Sequence, residues 1–125
     1  MSGIVGTAGS KSGVIGSDLV TNLILDNATE LVIASGVITI NSSYHVVDTE
    51  SDAGNDDLDT INGGSAGQIL ILKTASSSRD VTIKDATGNI TLQSDRQLNH
   101  YQDTITLFND GAGWRELCFS DNTAG

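Results

Sequence analysis

Arg79-Asp80-Val81-Thr82-Ile83-Lys84, Asp85-Ala86-Thr87-Gly88 and Asn89-Ile90-Thr91-Leu92-Gln93 follow one another without a break, and their reading decides the fold. Val81 and Ile83, then Ile90 and Leu92, alternate with polar residues. A period of two places one face against a core and the other in water, which is a half-buried strand. The four residues between the two runs read as a loop, with Gly88 available for a positive φ, so the stretch predicts a hairpin. Asp103-Thr104-Ile105-Thr106-Leu107-Phe108 and Gly113–Phe119 repeat the pattern around Asn109-Asp110-Gly111-Ala112 and predict a second hairpin.

Working back toward the N-terminus, Gln68-Ile69-Leu70-Ile71-Leu72-Lys73 is a strong strand. Tyr44-His45-Val46-Val47-Asp48, Val37-Ile38-Thr39-Ile40 and Leu31-Val32-Ile33 are three more. Thr49 to Gly67 is a long polar stretch broken only by Leu58 and Ile61, with turn signals at Asn62-Gly63-Gly64 and Ala66-Gly67. The chain has no Pro and 14 Gly, so its turns rest on Gly, Asn and Asp. Short strands separated by turns predict an all-β, antiparallel β-sandwich or jelly-roll-like body over residues 31–125. Helices have no room between the C-terminal strands, which excludes a parallel α/β fold.

Residues 1–30 read differently, as an attachment arm and connector. Ser2-Gly3-Ile4-Val5-Gly6 returns ten residues later as Ser12-Gly13-Val14-Ile15-Gly16. Each copy is too short and too Gly-rich to fold alone. A β-branched pair between glycines suits an extended strand that adds to the edge of a partner. Sixteen extended residues reach roughly 50 Å, enough to cross onto a neighbouring subunit. Asp18 to Glu30 fits a short helix or a strand about equally.

The formal net charge is −10, and Ser12 to Leu72 holds nine acids and no Lys or Arg. Such a surface repels phosphate backbones and anionic membranes, so neither nucleic acid nor membrane is an expected partner. The five aromatic residues are too few to line a large pocket. Cys118 is the only cysteine and is expected to be a small buried hydrophobe. No basic region followed by an apolar run suggests a signal peptide.

Chemistry-bearing patterns are sparse. Asp48, Glu50, Asp52 and Asp59 faintly resemble a calcium loop, but Gly54 comes one position late, Asp59 stands where Glu is required, and helices do not flank the segment. A solvated loop with Asx-turns accounts for the same residues. His45 and His100 are far apart, and no His/Cys cluster, Gly-x-Ser-x-Gly motif or carboxylate pair with aromatic platforms is present. No enzyme activity, cofactor or metal is expected. Trp114, opening the last strand, is expected to anchor the core or a subunit contact.

From Gly36 onward the chain resembles a small β-domain of tailed-bacteriophage virion proteins. The resemblance lies in Gly36–Ile40, Tyr44–Glu50, Asp56–Gly64, Gly67–Leu72, Val81–Asp85 with Gly88–Leu92, and Asp103–Leu107 with Asp110, Gly111 and Trp114. Such domains occur as capsid decoration or head-fibre proteins and in tail fibres, and are usually trimeric and non-enzymatic. The resemblance thus implies a homotrimer on the virion. The shortness of the chain tilts the expectation toward a decoration, or cement, protein on the outer capsid surface. Its arm, through Ser2, Gly3, Ile4, Val5, Gly6, Ser12, Gly13, Val14, Ile15 and Gly16, would bind the major capsid protein. The alternative is a short tail or head fibre, or spike head, for host-surface adhesion, with recognition by the loops at 49–67 and 109–113.

Overall fold

A computed structural model describes residues 21–123. The expected arm at residues 2–16 lies outside them. Residues 21–28 form neither helix nor strand. Eleven strands follow: β1 (Thr29–Val32), β2 (Val37–Thr39), β3 (Tyr44–Asp48), β4 (Asn55–Leu58), β5 (Thr60–Asn62), β6 (Ile69–Thr74), β7 (Asp80–Ile83), β8 (Ile90–Thr91), β9 (Arg96–Leu98), β10 (Thr104–Asn109) and β11 (Trp114–Ser120).

They build a six-stranded sheet in the order β1-β3-β6-β10-β11-β8, a three-stranded sheet β9-β7-β4, and a two-stranded sheet β2-β5. The all-β sandwich expected from the sequence is the fold. Ile38 and Ile61 from the small sheet, Leu58, Val81, Ile83 and Leu98 from the three-stranded sheet, and Val47, Leu70, Leu72, Ile105 and Leu107 from the large one share a single core. Trp114 is the largest side chain in it, and its Nε1–H donates to the Ile61 carbonyl at 3.3 Å. The alternation read from sequence is what fills this core. Each buried residue of β6 and β10 is two positions from the next.

Strand direction departs from the antiparallel expectation. Among the described strands, five of the eight pairings are parallel, so the sheets are mixed. The chain winds in coils: β3, β4 and β5 visit the large, the three-stranded and the small sheet in turn. β6 and β7 then lie parallel on β3 and β4 (Tyr44 opposite Ile71, Asn55 opposite Asp80). Parallel neighbours need a connection of a dozen residues or more, and the polar stretch from Thr49 onward supplies it. That stretch is not only loop, since it contains β4 and β5.

The predicted hairpin over 79–93 does not form. β7 pairs with β4 and β9, while β8 pairs with β11. Gly88 does not take a positive φ; Ala86 does, at 60°. Gly88 serves close approach instead, because a Cβ there would lie 2.0 Å from the Asp59 carbonyl oxygen. The hairpin predicted over 103–119 is present as β10–β11, with a bulge after Thr106.

Candidate functional site

Two outward faces of the sandwich differ in chemistry. On the three-stranded sheet, Asp57, Thr82 and Gln97 stand opposite one another and point outward, and Gln97 also bonds Asp80. This face is polar and acidic. On the large sheet the outward row is Tyr44, Ile71, Thr106 and Cys118, crossing β3, β6, β10 and β11. Ile69 opposite Phe108 forms a second row. Ile69 is 40% exposed and Leu117 56%. Leu23 and Leu25 of the connector meet this face beside Ser43, Gln68, Ile69 and Ile71 and line a shallow apolar hollow with them. Leu23 and Ile24 remain largely exposed.

Cys118 is exposed, not buried. The cause is the bulge. Thr106 faces Cys118 and Leu107 faces Glu116, so Leu117 is the extra residue. One extra residue inverts the alternation beyond it, placing Cys118 outside and Phe119 inside. Phe119 packs on the core under the Arg96 guanidinium, 5.2 Å from the ring centroid.

The loops divide between two ends. β3 and β6 run together and β10 runs back, so residues 41–43, 63–68 and 109–113 gather at one end, where Gly67 N donates to Asn109 O. Residues 49–54, 75–79 and 99–103 lie at the other. Of the two loop regions expected to act together, 49–67 and 109–113, the part at 63–67 is thus brought to 109–113, whereas 49–54 lies at the opposite end. The connector reaches the body at the first end, beside Ser43 and Gln68. The second end is therefore distal to it. There Tyr101, 53% exposed, stacks at 4.2 Å on His100. The buried Asp103 carboxylate holds this loop by accepting from the N–H groups of Asn99, His100 and Asn122.

The acidic stretch does not converge on a point. Asp48 accepts both guanidinium bonds of Arg79 at 2.7 and 3.0 Å, and that hydrogen bonding holds its carboxyl below the usual aspartate range. Glu50 accepts from Ser35 N, Asp56 from Glu50 N and Asp57 N, and Asp59 from the Thr60 hydroxyl. Among the described residues no three His, Cys, Asp or Glu side chains group as metal ligands. His45 is fully buried in β3. Its Nδ1 bonds the Thr29 carbonyl at 2.9 Å and its Nε2 accepts from Asn41 N at 3.2 Å, so both nitrogens are engaged in holding β1 and the turn that precedes β3. His100, in a different loop, is not brought to it.

Sequence reasoning missed the outward apolar rows. Their signal was present: Ile69 and Ile71 flank Leu70, so β6 is apolar on both sides, unlike β7.

A family model described as the phage depolymerase C-terminal beta sandwich domain matches residues 32–115, from the end of β1 to the start of β11. No curated protein and no solved structure matches the chain.

Proposed function

The chain belongs to the family of phage depolymerase C-terminal beta sandwich domains, and on that premise we propose that it is a structural domain of a phage tail fibre or spike. The observation that carries this reading is the extent of the match, which covers almost the whole sandwich. It favours a fibre or spike component over the capsid-decoration role expected from chain length. Fold membership alone does not assign activity. The role proposed is architectural, and the engagement of the ionic side chains supports it. Asp48, Asp95, Asp110 and Glu116 are each paired with a Lys or Arg of the body.

The polarity of the body supports one orientation for such a domain. The arm would attach at the end where the connector enters. The distal loops at 49–54, 75–79 and 99–103 would then face the host. Loops carried on a rigid sheet scaffold are the usual carriers of recognition. Tyr101 is the exposed ring there, with an apolar face and a polar tip suited to a surface glycan or protein.

Localisation on the particle tests the reading. A fibre or spike domain appears in few copies at the tail or at vertices. Purified protein competes with phage for adsorption to host cells, and Tyr101→Ala weakens that competition several-fold. Hundreds of copies spread over the head would overturn the proposal in favour of decoration.

A further inference from the structure

We infer that the outward face of the six-stranded sheet is where copies of this chain meet. Three observations commit the face to a second copy rather than to another occupant. First, the face carries Tyr44, Ile69, Ile71, Phe108 and Leu117 around the central Thr106, with Ile69 and Leu117 exposed, while the corresponding face of the three-stranded sheet is polar. Contiguous exposed apolar surface marks a contact site.

Second, its charges balance. Glu30 and Lys73 both stand opposite Val46, and Arg115 is paired with Asp110 at 2.7 Å. A chain of net charge −10 repels its own copies. The acidic face, with Asp57 and Asp80, would place like charges against each other. The balanced face lets copies approach without that cost, whereas a basic partner would be drawn to the acidic side.

Third, the connector extends the same surface. Leu25 is half-buried on the sheet, but Leu23 and Ile24 are each 79% exposed beside it. Two copies related by rotation would cover these side chains along with Ile69 and Leu117. The inference stands on the sheet and does not require the fibre reading.

Cys118 lies in the row and is the only thiol of the chain, so it reports directly on the face. The experiment uses the full chain. Its mass is read by light scattering on a sizing column, and the rate of Cys118 alkylation by a maleimide is measured in the same buffer. The expected result is an oligomer, with alkylation slowed at least about tenfold because the thiol reacts only through the dissociated fraction. Leu117→Glu, at an exposed bulge position, returns the mass to the 13.0 kDa monomer with the β-sheet circular dichroism retained, and frees the thiol. Thr82→Glu on the opposite face changes neither reading. A monomeric natural chain with a reactive thiol would overturn the inference. So would an oligomer that survives Leu117→Glu, which would mean that copies meet elsewhere. A monomer with a protected thiol would also overturn it, assigning the face to the chain's own residues 1–20. None of these outcomes bears on where the protein sits on the particle.

Discussion

Asn89 shows how one side chain replaces a strand partner. Its Oδ1 accepts from Ile61 N at 2.9 Å and its Nδ2 donates to Ile61 O at 2.7 Å, satisfying both backbone groups of β5 where the next coil offers no ladder. Removing the amide leaves the Ile61 N–H without a partner, at about 1–3 kcal/mol, and leaves the Ile61 carbonyl only the 3.3 Å bond from Trp114 Nε1–H. Asn89→Ala should therefore lower the stability measured by urea unfolding by about 1–3 kcal/mol. Asn89→Asp, which keeps the acceptor and loses the donor, should fall between it and the natural chain. Asp48 makes a second prediction. The Arg79 hydrogen bond depresses its native pKa below the ordinary 3.8, so its contribution is fully present above that value and drains as pH falls through the lower native one. Asp95, held mainly by the Asp85 N–H, and Asp110, held mainly by the Ala112 N–H, act in the same direction. Thermal midpoints followed from pH 6 down to pH 2 should fall steeply below about pH 4, and Asp48→Asn should flatten that decline. At this scale the sequence made Trp114 legible, because a large ring opening a strand has few places to go. Cys118 was not legible, because the parity of its strand depends on a bulge that no residue pattern around Leu117 announces.

At the scale of elements, alternation said which residues face the core but not which strand lies beside which. Val81 and Ile83 point inward as expected, yet β7 finds its partners in β4 and β9. A hairpin and a parallel coil demand the same period of two, and only connection length and distant partners separate them. β4 escaped notice for a related reason. Asp56 and Asp57 are poor strand formers, and they are tolerated because β4 lies at an edge, where charge also discourages further pairing. The position of each strand predicts its protection. Hydrogen exchange should be slowest at the amides of Leu70, Leu72, Ile105 and Leu107, in the adjacent central strands β6 and β10. It should be faster in the edge strands β1 and β4. Uniform protection across the four would contradict the sheet order.

For the whole molecule, turn chemistry, strand periodicity and charge made an acidic all-β sandwich legible in the sequence, and the resemblance of its motifs carried the virion assignment. The contrast between its two outer faces and the separation of its loop ends arise only when coils stack, so no linear pattern carried them. Together they define a polarised body. The connector enters at one end, the Tyr101 loop stands at the other, and an apolar, charge-balanced face runs along the side. That arrangement suits a domain that gathers its own copies around a common axis and presents the far end outward. A reconstruction of the intact phage particle tests this account most directly. It should show the body in few copies at the tail or vertices, clustered through the six-stranded sheet with residues 99–103 outermost. Single bodies spread in hundreds over the head, with that sheet facing solvent, would contradict it.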